Sequence, residues 1–422
     1  MKQFNVPDFL ASSNLYEVNL RQYTSEGTIK AFTEHLPRLK QMGVEILWFM
    51  PVHPIGVEKR KGTLGSYYSI KNFKEVNPEF GSLEDFKAMV EVIHGLGMKV
   101  IMDWVANHAS WDNNWTLTNP DFFERDEHGN FNTPYDWTDV IQINHKNGQQ
   151  QDAMIDSMAY WINECGIDGF RADLAHLTPL EFWIKARTHL GQLKPDLVWL
   201  AETEERSYHN AFDISFTWKW MHATEDFVKA GGDISSLRSL LSTSSEEFGD
   251  ELRMYYTSNH DENSWNGSEY EKYGTYAKAL AVFASTYVHS VPLIYSGQEV
   301  PCKKRLSFFD KDEIDWQEKP ALHTFYSVLL QLRKRNLVFS SDAGLSFMES
   351  LQPVLAFTRS KDDDSIIVII SLSRYGIDEV FDLPKVNGIF NNIFTNELVE
   401  VDQQLKCRLE PGEFVVLEKT NP

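Results

Sequence analysis

The feature that most constrains the fold is a repeated pattern of a short apolar strand followed by an amphipathic helix. The first unit joins an alternating strand at 15–20 to a helix at 28–41, whose apolar residues recur every three or four positions until Gly43. The next strand, at 44–50, is largely apolar and ends at Pro51. Buried strands separated by helices are typical of a parallel sheet that is covered on both faces.

We count eight such strands before residue 300, with helices between most of them. They are 15–20, 44–50, 99–103, 167–172, 197–202, 212–216, 254–258 and 292–296. Eight units over roughly 300 residues fit a closed barrel better than an open sheet. The alternative is an open, doubly wound sheet, but no GxGxxG motif follows the first strand to support it. The predicted fold class is therefore α/β, a (β/α)8 TIM barrel.

Two stretches depart from this pattern. Residues 109–146, after strand 3, show little helical periodicity and are rich in Asn, Asp and aromatic residues, which predicts a small inserted subdomain overhanging the barrel mouth. Beyond about residue 340, closely spaced strands without helices indicate a C-terminal antiparallel β-sandwich. The predicted domains are the barrel at 1–108 and 147–340, the inserted subdomain at 109–146 and the sandwich at 341–422.

The charge balance restricts the class of partner. The chain has 40 Lys and Arg residues against 61 Asp and Glu residues, a formal charge of −21. Such a charge disfavours nucleic acid and anionic membranes as partners and suits a neutral substrate such as a sugar. The segment 1–10 lacks the apolar core of a signal peptide, and no apolar run is long enough to span a membrane. We therefore expect a cytoplasmic protein, with a trimmed secreted form as the alternative.

Charged side chains gather at the predicted carboxyl ends of the strands, where a barrel of this kind builds its active site. Strand 4 ends with Arg171 and Asp173, which are two positions apart and therefore point the same way. Strand 3 ends with Asp103 to His108, strand 5 with Glu202, and strand 7 with Asn259-His260-Asp261. Such a cluster of buried charges must be paired, bound to metal or catalytic.

Paired carboxylates are typical of glycoside hydrolysis, in which one attacks the anomeric carbon and the other protonates the leaving oxygen. Arg171 favours the ionised form of Asp173, which makes Asp173 the candidate nucleophile. Glu202, preceded by Leu200 and Ala201, is then the candidate proton donor. A metal hydrolase is the competing hypothesis, but no HxH or HxxxH pair is present to begin a metal site, so no metal ligand is predicted.

Four of these segments, Asp103–His108, Gly169–Asp173, Glu202 and Asn259–Asp261, resemble in this order the conserved regions of the α-amylase family of glycoside hydrolases. The resemblance implies Asp173 as nucleophile, Glu202 as general acid/base and Asp261 as the carboxylate that binds and distorts the sugar. It also implies substrate-binding or orienting roles for His108, Arg171 and His260, and a sugar-stacking role for Tyr68. A retaining mechanism through a covalent glucosyl ester on Asp173 would follow.

The chain departs from the family pattern at two places. Many amylases carry Lys-His after the nucleophile motif, where this chain has His176 and Leu177, so His176 is predicted to contact the sugar beyond the cleavage point. The family's calcium site often uses the asparagine equivalent to Asn107 together with an aspartate of the inserted subdomain. This chain has Val140-Ile-Gln142-Ile-Asn144 there, and without the carboxylate a structural calcium has little support. No cofactor is expected for the chemistry.

The resulting hypothesis is a retaining enzyme that cleaves α-1,4-glucosidic bonds in starch-like glucans or maltooligosaccharides. A transglycosylase is the alternative among enzymes, because the same covalent intermediate serves hydrolysis and transfer. A glucan-binding module without catalysis is the alternative from another class. The intact Asp173, Glu202 and Asp261 argue against that last alternative.

Overall fold

A computed structural model describes residues 4–316 and 320–420 of the chain. Its larger sheet contains eight short strands, which confirms the predicted barrel fold. In chain order the strands up to residue 295, including two outside this sheet, are β1 (Leu15–Val18), β2 (Ile46–Phe49), β3 (Lys99–Trp104), β4 (His108–Ser110), β5 (Val140–Gln142), β6 (Gly169–Ala172), β7 (Val198–Ala201), β8 (Ile214–Phe216), β9 (Leu252–Met254) and β10 (Leu293–Tyr295). The sheet order is β10-β1-β2-β3-β6-β7-β8-β9.

The helices follow the strands as predicted, with differences at their ends. They are α1 (Leu20–Tyr23), α2 (Ile29–Thr33), α3 (Leu36–Met42), α4 (Leu83–Gly95), α5 (Trp115–Thr118), α6 (Gly148–Cys165), α7 (Leu180–Leu193), α8 (Trp218–Ala230), α9 (Ile234–Phe248), α10 (Glu269–Tyr273), α11 (Ala277–Thr286) and α12 (His323–Arg335). The single helix predicted at 28–41 is two helices, α2 and α3. Pro37 lies in the first turn of α3 and lacks the N–H that would continue α2.

The chain divides into two compact units. The first contains Leu15–Phe216 and Leu306–Asp315, and the second contains Thr217–Arg305 and the C-terminal sheet. In the first unit, β1, β2, β6, β7 and β8 are buried at every residue, as expected of barrel strands that pack on both faces. In the second unit, the strand predicted at 254–258 is instead Leu252–Met254. The tyrosines that follow Met254 suggested a longer strand, but they belong to a loop.

The region between β3 and α6 has the irregular structure that its composition predicts. Strands β4 and β5 pair antiparallel, with Ala109 opposite Ile141, and the chain between them carries only α5 and a short 3-10 turn at Pro120–Phe122. Residues of β4 and β5 are mostly buried. This small sheet brings His108 and Gln142 opposite each other.

The C-terminal region is antiparallel, as predicted, and its six strands hydrogen-bond in one continuous order. They are β11 (Gly344–Phe347), β12 (Val354–Lys361), β13 (Asp364–Ser371), β14 (Ile377–Asn392), β15 (Leu398–Leu409) and β16 (Phe414–Lys419), in the order β11-β12-β13-β16-β14-β15. Strands β11 and β15 are largely exposed, whereas β12 and β13 are mostly buried. Among the residues that the structure describes, none of the helices has both the length and the apolar character needed to cross a membrane.

Candidate active site

Arg171 gathers three carboxylates in the first unit. Its side chain is completely buried on β6, and its Nη1 lies 2.7 Å from Oδ1 of Asp103 and 3.1 Å from Oδ1 of Asp173. Its Nη2 lies 2.8 Å from Oε2 of Glu202. These carboxylates end or follow the neighbouring strands β3, β6 and β7, which pair with Asp103 opposite Arg171 and Ala172 opposite Ala201. Carboxylates far apart in sequence thus share one guanidinium.

The charge of this cluster is held by mutual attraction. Burial alone disfavours the charged guanidinium, but the negative charges of Asp103 and Glu202, followed by Tyr68 and Asp173, outweigh burial and raise the pKa of Arg171 above its usual range. Arg171 therefore stays a cation near neutral pH. The sequence argument used Arg171 to favour ionisation of Asp173 alone, whereas the guanidinium reaches Glu202 as well. Proximity to arginine does not by itself separate the nucleophile from the acid.

Asp103 connects the cluster to two aromatic side chains. Its Oδ2 accepts hydrogen bonds from Nε1 of Trp48, at 3.1 Å, and from Oη of Tyr68, at 3.0 Å. The Trp48 ring also lies under the guanidinium, with its centroid 5.0 Å from Cζ of Arg171. Sequence reasoning missed Trp48, and the available signal was an indole N–H at the end of an otherwise apolar strand, where it needs an acceptor.

Glu202 is oriented by the backbone that follows β6. Its Oε2 accepts the N–H of Leu174 at 2.7 Å, and its side chain is 6% exposed. Leu174 adopts the left-handed conformation, with φ 40° and ψ 52°. That conformation costs a non-glycine residue about 1–2 kcal/mol, so a turn that keeps it here is held by its surroundings. The turn directs a backbone donor at the candidate acid, and sequence reasoning did not foresee it.

Tyr68, the predicted sugar-stacking residue, belongs to the same cluster through its bond to Asp103. Its ring stacks with that of Phe308 at a centroid distance of 6.3 Å and an interplanar angle of 14°. The segment carrying Phe308 is anchored by the buried Arg21, whose Nη1 donates to the carbonyl oxygens of Phe308, at 3.2 Å, and Gly65, at 3.0 Å. Two aromatic rings, only one of them predicted, therefore lie side by side next to the carboxylates.

His108 and His176 lie on different elements. His108 is buried in β4, and burial lowers its pKa to about 4, so it is neutral near pH 7. Its ring packs edge-on against Trp137 at 5.5 Å, and its Nδ1 lies 3.3 Å from Nδ2 of Asn107. His176 is half-buried in the short 3-10 turn Ala175–Leu177. Its backbone carbonyl accepts a hydrogen bond from the Tyr208 hydroxyl at 3.2 Å.

Asp261 and His260 lie in the second unit. The sequence places them at the end of a strand, whereas β9 ends at Met254 and Asp261 directly precedes a π-helix at Glu262–Asn266. The His260 side chain is 1% exposed and that of Asp261 is 44% exposed, and Nε2 of His260 lies 3.3 Å from Oδ2 of Asp261. π-Helices are rare in proteins, and a large share of those that occur lie at functional sites.

The chain matches known proteins along most of its length. A family model described as the α-amylase catalytic domain matches residues 7–140. A maltogenic α-amylase from Thermotoga neapolitana has a structure that superimposes with a TM-score of 0.90 at 29% identity, covering 98% of this chain and 100% of that one. The chain is similar to enzymes of the α-amylase family along most of its length. This similarity confirms the predicted resemblance to glycoside hydrolases of that family.

Curated members of the α-amylase family are more distant and longer. α-Amylase 2 of Dictyoglomus thermophilum is 23% identical over 417 residues, which cover 91% of this chain and 69% of that protein. The α-1,4-glucan:maltose-1-phosphate maltosyltransferase of Salinibacter ruber is 28% identical over 400 residues, which cover 85% of this chain and 58% of that protein. The chain therefore spans about six to seven tenths of their length.

This chain does not offer the ligands of the calcium position found in many α-amylases. Nε2 of Gln142 donates to Oδ1 of Asn107 at 2.8 Å and to its carbonyl oxygen at 3.2 Å. An amide donor thus points at the oxygens that a cation would need, and a hard cation prefers carboxylate oxygens. Among residues 4–316 and 320–420, no group of three or more His, Cys, Asp or Glu residues is arranged to hold a metal ion. The residues present do not fit calcium at Asn107.

Proposed function

We propose that this protein cleaves α-1,4-glucosidic bonds in starch-like glucans or maltooligosaccharides with retention of configuration. Asp173 is the nucleophile, Glu202 the general acid/base, and Asp261 the carboxylate that binds and distorts the sugar. Tyr68, His108, Arg171, His176 and His260 bind or orient the substrate. These roles come from the resemblance to the α-amylase family, residue by residue.

One observation carries the proposal. Asp173 and Glu202 bind the two different terminal nitrogens of the Arg171 guanidinium, at 3.1 Å and 2.8 Å. A retaining glycosidase needs two carboxyl groups only about 5–5.5 Å apart, one on each side of the scissile bond. Two carboxylates that share one buried guanidinium are held as close neighbours, which this mechanism requires.

The reaction then proceeds in two balanced steps. Asp173 attacks the anomeric carbon and forms a glucosyl ester while Glu202 donates its proton to the departing glycosidic oxygen. Glu202, now a carboxylate, removes a proton from water, and the oxygen of that water attacks the anomeric carbon, breaks its bond to the carboxyl oxygen and frees Asp173. Hydrogen bonds from Arg171 to Asp173 and from the Leu174 N–H to Glu202 keep each oxygen in place between steps.

Transglycosylation is the second candidate, and the similarity to the Salinibacter ruber maltosyltransferase favours it. In that reaction a sugar hydroxyl replaces water in the second step. Incubation with maltotriose separates the two, because oligosaccharides longer than the substrate accumulate only under transfer. Maltose 1-phosphate, supplied as donor with a maltooligosaccharide acceptor, tests the same activity directly.

The decisive experiment compares two variants on two substrates. We expect Asp173→Asn and Glu202→Gln each to lower maltotetraose cleavage by about 10³-fold or more. α-Maltosyl fluoride has a leaving group that needs no proton, so Glu202→Gln is expected to retain formation of the ester and Asp173→Asn is not. Unchanged glucan turnover in Asp173→Asn would overturn the proposal. An equal loss of activity on α-maltosyl fluoride in both variants would overturn the assignment of Asp173 as nucleophile and Glu202 as acid.

A further inference from the structure

A tryptophan on the π-helix after Asp261 is exposed although the segment that carries it is fixed. Trp265 is 56% exposed, one of few large apolar side chains so open to solvent in the residues described. It lies four residues after Asp261, whose side chain is 44% exposed. Asp261 has a helical backbone conformation and directly precedes the π-helix, so a separation of four residues is close to one helical turn. An exposed carboxylate and an exposed indole thus lie about one turn apart.

Hydrogen bonds at both ends fix this element. Oδ1 of Asn259 accepts the N–H of Glu262 at 2.8 Å, and the N–H of Gly267 donates to the carbonyl of Glu262 at 2.9 Å. The Asn263 side chain is buried and donates to the carbonyl of Lys304 at 3.1 Å. The backbone of the π-helix is therefore tied down on either side of Trp265.

A buried ion cluster fixes it further. Lys272 has a fully buried side chain, and its Nζ lies 2.7 Å from Oε2 of Glu262 and 4.0 Å from Oε2 of Glu225. Nδ2 of Asn266 donates to both carboxylates, at 3.0 Å to Glu262 and 2.9 Å to Glu225. Losing one partner of a buried ion pair is costly, so this cluster resists movement of the turn. The residues on either side of Trp265 in the helix are held while the indole remains open to solvent.

We propose that Trp265 is a platform for the glucose unit next to the one that Asp261 holds. A pyranose ring has a face of C–H bonds that packs on an indole as apolar surface, while its hydroxyls stay hydrated. A rigid, exposed indole loses little conformational entropy when it binds such a face. This inference rests on the proposed function and adds a specificity-determining residue that senses chain length beyond the cleaved bond.

The test measures KM and kcat for maltotriose to maltoheptaose in Trp265→Ala, Trp265→Phe and Tyr375→Ala. Tyr375 is 80% exposed in the C-terminal sheet region and is the matched control. We expect Trp265→Ala to raise KM for the longer substrates by about 3- to 10-fold with kcat changed by less than about 2-fold. Trp265→Phe is expected to retain most of the affinity and Tyr375→Ala all of it. An unchanged KM in Trp265→Ala at every chain length, or an equal rise in Tyr375→Ala, would overturn the inference.

A binding measurement separates this inference from the proposed function. Titration of Asp173→Asn with maltoheptaose is followed by tryptophan fluorescence, with and without Trp265→Phe. We expect a saturable change that loses amplitude when Trp265 is replaced. A wild-type protein that turns over no α-glucan but shows this change would refute the proposed function and support the platform. An active wild-type protein whose fluorescence change is unaffected by Trp265→Phe would support the proposed function and refute the platform.

Discussion

Arg171 and Asp103 form a fully buried ion pair across the strands β3 and β6, with 2.7 Å between Nη1 and Oδ1 and neither side chain exposed. The same guanidinium binds Asp173 and Glu202. Removing the cation would leave three carboxylates close together without the positive charge that they share. The pair therefore links the stability of the barrel to the geometry of the candidate site.

Arg171→Met is expected to lower the free energy of unfolding by about 3–5 kcal/mol, because the buried carboxylates lose their shared cation. Lys87→Met removes a partly exposed pair with Glu164 and is the control, with a much smaller expected cost. Urea denaturation of both variants provides the comparison. Equal midpoints for the two variants would show that the buried cluster is not held by Arg171.

Gly169 permits the close approach of β6 and β7. A Cβ at this residue would lie 2.0 Å from the carbonyl oxygen of Val198, whereas a Cβ at Gly191 in α7 would meet nothing within 4 Å. Gly169→Ala is therefore expected to destabilise the protein by more than about 3 kcal/mol, since neither backbone can yield. Gly191→Ala is expected to stabilise it by about 0.5–1 kcal/mol. Thermal unfolding midpoints that move in the same direction in both variants would contradict this.

His53 makes stability depend on pH. Burial among Phe73, Trp104 and Trp161 lowers the pKa of His53 to about 3, from 6.5. The unfolded chain takes up this proton below pH 6.5 and the folded chain only near pH 3, so folding stability falls as the pH falls through that window. The slope expected from His53 alone is about 1.4 kcal/mol per pH unit.

His53→Gln should remove the part of the slope that comes from His53 between pH 6 and pH 4, as measured by urea unfolding at a series of pH values. His128→Gln, which replaces a histidine with a 74% exposed side chain, is the control. Burial also lowers the pKa of His108 and of His145 to about 4, so a smaller slope of the same sign remains in the variant. Parallel curves for wild type and His53→Gln would exclude the buried neutral histidine.

The bond between Gln142 and Asn107 predicts that chelation has no effect. We expect EDTA to leave both activity and the thermal midpoint unchanged. Gln142→Asp removes the amide donor and places carboxylate oxygens against the Asn107 oxygens, which should cost about 1–3 kcal/mol. Millimolar Ca²⁺ is expected to restore part of that loss in the variant and to do nothing for wild type. A wild-type midpoint that falls with EDTA and recovers with Ca²⁺ would contradict the argument.

Sequence patterns were enough to predict the architecture and to identify the charged residues that meet at Arg171. Apolar strands alternating with helices specify the barrel, because a strand without a polar face must be covered on both sides. The two-residue spacing of Arg171 and Asp173 correctly predicted that their side chains meet, because side chains alternate along a strand. Strand boundaries were predicted less accurately than the strands themselves. The tyrosines after Met254 were assigned to a strand, but they lie in a loop.

Which groups share a partner depends on the folded barrel. Trp48, Asp103 and Arg171 lie on three strands and Glu202 follows a fourth, all tens of residues apart. Their hydrogen bonds and ion pairs depend on strand register and on the distance between strands. The left-handed turn at Leu174 and the π-helix after Asp261 likewise leave no local sequence signal, because leucine disfavours the first and i→i+5 hydrogen bonds are rare. Local patterns encode which face a side chain occupies, and only packing of the whole sheet fixes what it touches.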